Sequence, residues 1–321
     1  MNRRNQLLAA LLALQLLLVA VVYWPRPSQA GAAPLFPNLN AADVLSLSIS
    51  DGNEVLNLSN RAGQWLLPDA GDFPAQNERV EALLGKIAAL QTGRLVAQTP
   101  ASHARLQVAA TEFVRQVQFE TAAGERHTVW LGSAASGSSA HFRVDDAAEV
   151  YIAADLSSFD ANAQPAGYID TGYISLAAAD ITAMTVRNAS GELLFVKDAE
   201  GTWTLAGLDA GQETDSSKVV SLVSRLAGLY MTQPLGAQPL PAWGFDAPAA
   251  TITLTVTPAE GAPQTHELQV GAKDADSSSY AVKYSGSPYY VRAAAFNLDD
   301  LVQNSAAAFL LAPPAEATPS P

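Results

Sequence analysis

The chain has 321 residues, 49% hydrophobic and 15% charged, enough for about two domains of ordinary size. Asp plus Glu number 31 against 18 Lys plus Arg, a formal charge of −13 that lacks the basic footprint of a nucleic-acid binder. With no Cys, the chain has no disulfides, thiolate zinc sites, iron–sulfur clusters or Cys nucleophile.

Arg3 and Arg4 precede residues 7–24, which carry no charge and only Gln15 as a plainly polar side chain. Eighteen helical residues rise roughly 27 Å, close to the thickness of a bilayer's hydrocarbon core. Tyr23 and Trp24 close the run where amphipathic rings favour the interface, and the arginine pair keeps the N-terminus cytoplasmic. The expectation is a cytoplasmic stretch 1–6, a single transmembrane helix 7–24 as signal anchor in the cytoplasmic membrane, and a spacer 25–38. Everything beyond lies on the periplasmic or extracellular side. A cleaved secretory signal ending at Ser28-Gln29-Ala30 is the alternative. The first thirty residues hold three arginines and no acid, so the remainder carries −16 and is repelled by anionic lipid.

Beyond the spacer one pattern occurs twice. Trp65 and Trp203 each follow a Gly-x pair and precede an amphipathic helix. Val80, Leu83, Leu84, Ile87 and Leu90 form the apolar stripe of the first helix, and Val219, Leu222, Val223, Leu226 and Leu229 that of the second. Asn77 and Asp215 are suited to N-cap these helices. Upstream of each, alternating runs flank Asp51-Gly52 and Ser190-Gly191, predicting hairpins. Downstream, Phe113, Val117, His127, Leu131 and Gly132 share a spacing with Ile252, Val256, His266, Val270 and Gly271. The expected class is α+β: two tandem repeats, each a mostly antiparallel sheet with one main packed helix, over residues 39–164 and 165–311. Pro165-Ala166-Gly167 marks the turn between them, and the Pro-rich tail 312–321 lacks the apolar content to pack.

These motifs, with the helix-ending run Leu90-Gln91-Thr92-Gly93-Arg94-Leu95-Val96 and with Trp243-Gly244-Phe245-Asp246-Ala247-Pro248, resemble the bacterial domain-of-unknown-function 4340 family (DUF4340) across nearly all of residues 39–311. In the first copy Ala104 to Ala109 occupy the place of the Trp243 element, without its Gly and Pro. The resemblance implies a single-span envelope protein, similar in some members to auxiliary components of ABC-type transporters of the gliding-motility kind. It brings no catalytic residues.

A search for chemistry among the residues finds no converging set. His103, His127, His141 and His266 include no pair at metal-ligand spacing, and His127 and His266 occupy matching repeat positions. The serine-rich run 132–139 lacks a nucleophile elbow, and Asp274-x-Asp276 lacks the further ligands of a calcium loop. Asp145-Asp146 and Asp299-Asp300 are adjacent, so their side chains diverge. No catalytic, cofactor or metal residues are therefore assigned. Aromatics are the notable feature: Trp243, Phe245, Tyr284, Tyr289 and Tyr290 crowd the second copy and form a candidate partner-contact surface. The expected function is a non-enzymatic interaction or accessory protein of the cell envelope, its partners being envelope or ABC-transporter-type membrane proteins. An anchored receptor for a glycan, peptide or lipid fragment is the alternative, and an envelope hydrolase a third.

Overall fold

The computed structural model describes residues 32–311 and, apart from these, Gln15. The membrane-spanning helix expected over residues 7–24 and the tail 312–321 lie outside the described residues, Gln15 excepted. Among the described residues no helix is long and apolar enough to cross a membrane.

In chain order the first strands are β1 (Val44–Ser50), β2 (Val55–Arg61), β3 (Gln64–Leu67) and β4 (Phe73–Pro74), followed by helix α1 (Asn77–Ala88). Next come β5 (Leu95–Ala97), helix α2 (Pro100–Arg105), and a short ribbon of β6 (Val108–Ala109) and β7 (Glu112–Phe113). The strands β8 (Arg115–Thr121), β9 (Arg126–Ser136), β10 (Ser139–Val144) and β11 (Val150–Ile152) come after it. The later part runs β12 (Ile181–Asn188), β13 (Gly191–Lys197), β14 (Trp203–Leu205), α3 (Ser216–Ala227), β15 (Met231–Gly236), β16 (Ala250–Val256), β17 (Gln264–Asp274), β18 (Ser279–Tyr284), β19 (Tyr290–Ala294) and α4 (Asp299–Gln303).

These strands form a nine-stranded sheet in the order β4-β3-β2-β1-β8-β9-β10-β11-β5 and an eight-stranded sheet in the order β14-β13-β12-β16-β17-β18-β19-β15. Hairpin neighbours such as β1 and β2, or β16 and β17, pair antiparallel. The expected α+β class of helix-packed repeats is thereby overturned: the fold is mostly antiparallel β, built on two large sheets with few helices. The physical reason is one of length. Each apolar stripe is real, with Val80, Leu84, Ile87, Val219, Leu222 and Leu226 all buried, yet the two main helices have only 12 residues each. Segments assigned to loops or helix ends add edge strands instead, notably β5 and β15.

By compactness the chain divides into two units. Of the described residues, the first takes 32–43 together with Leu83–Val117 and His127–Ala161. It holds a cluster of Leu106, Val108, Trp130 and Val150, against which Phe113 packs. Buried Arg143 donates from Nε to the Val108 carbonyl at 2.8 Å, with its guanidinium 5.4 Å from the Trp130 ring centre. The second unit takes Val44–Ala82, Gln118–Arg126 and the described residues 162–311. Its core includes Trp65, Met184, Phe195, Trp203, Ile252 and Val282.

The Trp-bearing strands are closed by side chains from the helix starts; β14 is an edge of its sheet, and β3 pairs with the edge strand β4 only at Leu66 and Leu67. The Trp65 N–H donates to Asn77 Oδ1 at 3.0 Å, and Asn77 Nδ2 returns a bond to the Gly63 carbonyl at 2.7 Å. The Asn77 side chain, expected to cap the helix, is thus spent on the strand. On β14 the Trp203 N–H donates to Ser216 Oγ at 3.0 Å and the Leu205 N–H to Thr214 Oγ1 at 2.8 Å. Asp215 does cap α3, accepting from the Lys218 N–H at 3.3 Å.

Two glycines carry a closer constraint. A Cβ on Gly132 would lie 2.0 Å from the Leu106 carbonyl oxygen, and one on Gly271 would lie 2.1 Å from that of Trp243. The chain after each crossing turns through the left-handed region, at Gln107 (φ 56°) and Gly244 (φ 74°).

Three substitutions test this packing. Gly271→Ala drives a methyl into a backbone carbonyl and should cost about 2–4 kcal/mol in denaturant unfolding. Gly85→Ala, exposed within α1 and with nothing within 4 Å of the new Cβ, should stabilise by about 0.5–1 kcal/mol. Asn77→Ala, which orphans the Trp65 N–H, should cost about 1–3 kcal/mol by the same measurement.

Candidate functional site

The site grows from the alternation of four strands. Along β16, Ala250, Ile252, Leu254 and Val256 point into the core, so Thr251, Thr253 and Thr255 face outward. Gln269 pairs with Thr251 and faces the same way, then Lys283 opposes Gln269 and Tyr290 opposes Lys283. A polar row therefore crosses the outer face of the sheet and ends on the Tyr290 ring.

Over that end lies the turn Pro241–Trp243, which stops at the left-handed Gly244. With the Trp243 carbonyl seated on Gly271, the indole stands 5.7 Å from the Tyr290 ring and the Phe245 ring 4.8 Å from it, edge to face. Pro239, Leu240 and Asp246 complete, with Phe245, Gln269 and Tyr290, a cavity of about 330 Å³. Leu240 is 55% exposed at its edge. The Lys283 ammonium lies 5.6 Å from the Tyr290 ring centre and donates to the carbonyls of Tyr284, at 3.0 Å, and Ser287. Burial pushes this lysine below its ordinary range.

Of the five aromatics singled out from the sequence, three meet here: Trp243, Phe245 and Tyr290. Tyr284 turns into the core, stacked on His266 with its hydroxyl 2.7 Å from Nδ1. Tyr289 packs against Phe73 at 4.7 Å, and its hydroxyl donates to the Asp72 carbonyl at 3.2 Å. Gln269, Leu240 and Lys283 are not among the residues that the sequence pattern marks, and Asp246 is marked only as part of the run 243–248. The strand alternation around Leu268 and Val270 is a signal for Gln269, whereas the others belong to the site only through the fold of the crossing turn.

A tyrosine outside the predicted set holds the turn that leads to Tyr290. The Tyr173 hydroxyl accepts from the Tyr284 N–H at 2.8 Å and donates to the Tyr289 carbonyl at 2.7 Å. Burial pushes its pKa up to about 12, against the relief that the Tyr284 N–H supplies.

The histidines are dispersed in local bonds. His103 Nε2 is 2.7 Å from the Ala148 carbonyl, His127 Nδ1 3.0 Å from Asp145, and His141 Nδ1 2.9 Å from the Ser133 carbonyl. Among the described residues no three His, Cys, Asp or Glu side chains stand together as a metal-binding group.

The Tyr173 pKa makes a pH prediction. Because the folded state keeps a phenol proton that the unfolded chain releases from about pH 10, stability should fall as pH rises from about 10 to 12, by up to about 3 kcal/mol. Tyr173→Phe should flatten that slope and cost about 1–3 kcal/mol at neutral pH, since the buried Tyr284 N–H loses its acceptor. Urea unfolding of both proteins across this range measures the difference.

Comparison with known proteins gives one family. A model described as "Domain of unknown function (DUF4340)" matches residues 65–235 and 209–310. No curated protein and no solved structure matches the chain.

Proposed function

The chain belongs to the DUF4340 family, and from that premise we propose that it is a non-enzymatic interaction module of the cell envelope, accessory to a membrane complex of the ABC-transport or gliding kind. The observation that carries the reading is the cavity edged by Phe245, Tyr290 and Leu240, a concave aromatic site on the outer face of a sheet. Rigid aromatic rings are the side chains in which binding energy is concentrated. The apolar run 7–24 supports a place at the membrane, with the acidic remainder outside it.

The module is a duplicated β unit in this proposal, and several matched contacts support it. Trp65 with Asn77 and Trp203 with Ser216 make the same strand-to-helix closure. Lys86 bonds Asp160 at 2.8 Å as Arg225 bonds Asp300 at 2.8 Å. The Leu106 carbonyl covers Gly132 as the Trp243 carbonyl covers Gly271. By that geometry Leu106 answers Trp243, two residues later than Ala104, where spacing alone places the match. Gln107 then supplies the left-handed turn that Gly244 makes in the other copy.

Purification of the full-length protein from its own membranes in mild detergent tests the function. A stoichiometric membrane-protein partner should co-elute, and Leu240→Asp should release it while leaving the melting temperature unchanged. Recovery of monomer alone, under conditions that preserve neighbouring complexes, overturns the proposal.

A further inference from the structure

The geometry assigns a ligand class to this cavity: we propose that it binds the pyranose ring of an oligosaccharide, with Phe245 and Tyr290 as the ring platform and Gln269, Asp246 and the Tyr290 hydroxyl as its hydrogen-bonding rim. The inference rests on the reading of this cavity as a binding face. A pyranose has an apolar C–H face and a girdle of hydroxyls that both donate and accept. Its complement is an aromatic surface flanked by a few polar groups of mixed type, and the cavity supplies that set.

The rim has open capacity. Gln269 commits its Nε2 to Glu267 at 2.8 Å, which leaves the amide oxygen to accept. Asp246 is exposed, and neither its carboxylate nor the Tyr290 hydroxyl has a partner among the described residues. A carboxylate accepts from two sugar hydroxyls, and a phenol both donates and accepts. The volume of about 330 Å³ stands at the lower end for ligand sites, the size of a sugar ring or two.

The outer face extends the site beyond one ring. From Tyr290 the cross-strand row continues through Lys283, Gln269 and Thr251 to Arg187. Four strand spacings give about 19 Å, the length of a short oligosaccharide. Every member of that row carries a hydrogen-bonding group, and Thr253 and Thr255 lie beside it on the same face. A face of this kind offers little to a lipid chain and much to a polyol.

Saturation-transfer NMR of the full chain in detergent, with chitotetraose, cellotetraose and maltotetraose as probes, tests the proposal. At least one probe should bind saturably, its ring C–H signals receiving magnetisation. Tyr290→Phe, which keeps the ring and removes one hydroxyl, should weaken binding about fivefold. Gln269→Leu should do the same, and Phe245→Ala should abolish binding up to about 10 mM. Absence of binding by all three probes, or binding indifferent to both Gln269→Leu and Phe245→Ala, overturns the saccharide. If no probe binds but the co-eluting membrane partner is lost on Phe245→Ala, the occupant is a protein and the interaction reading stands. If a probe binds as expected and no partner co-elutes, the saccharide stands and the accessory reading falls.

Discussion

The Pro241–Phe245 segment can lie flat across a strand only because Gly271 has no Cβ. A carbonyl oxygen 2.1 Å from where that atom would be leaves room for no side chain, and the neighbouring left-handed Gly244 would put its own Cβ 2.9 Å from the Ala272 nitrogen. Two glycines therefore set the height and the direction of the crossing, and with them the separation of Trp243, Phe245 and Tyr290. The first unit uses the same contact to another end. There the Leu106 carbonyl rests on Gly132, but the crossing leads into the buried cluster of Val108, Trp130 and Val150. A cation closes each arrangement from beneath a ring, Arg143 under Trp130 and Lys283 under Tyr290. In the first it is sealed at 6% exposure, and in the second the ring it supports borders an open cavity.

Without a cysteine the chain has no covalent brace, so its sheets must manage their own edges. The side chains that close β3 and β14 come from residues immediately before or at a helix start, where a polar residue costs little. Asn77, Thr214 and Ser216 thus join strand to helix and satisfy strand N–H groups that the ladders leave open, at the edge of its sheet for β14. The 12-residue helices then serve the sheets as fasteners as well as apolar cover, which is why few and short helices suffice for so much strand.

Much of this was legible in periodicity. The hairpins around Asp51-Gly52 and Ser190-Gly191, the buried stripes of both main helices, and the matched strands before Gly132 and Gly271 come from alternation and spacing. The class was misjudged because an apolar stripe reports that a helix is covered, not how large the sheet beside it is. Edge strands such as Leu95–Ala97 and Met231–Gly236, with Pro234 inside the second, have too little alternation to announce themselves. Of the crowded aromatics, Trp243, Phe245 and Tyr290 come together in the fold, whereas Tyr289, in the bend just before β19, packs on Phe73 instead. Asp246 and Leu240 owe their place to a loop crossing that no local pattern encodes.

The cavity is held in shape by the fold itself. Tyr173 grips the β18–β19 turn at both ends, on the Tyr284 N–H and the Tyr289 carbonyl, and the Tyr289 hydroxyl adds a tie to Asp72. Tyr290 therefore leaves a turn with little freedom, and Phe245 is backed by Gly271. A ligand meeting such rings gives up its own freedom but not the protein's, which favours recognition of weakly binding molecules. Charge then narrows the choice. The acidic excess of the chain and the exposed Asp246 disfavour an anion at the mouth, while the Lys283 ammonium, committed to two carbonyls beneath the ring, is not free to attract one. A neutral ligand with one apolar face and many hydroxyls meets both conditions.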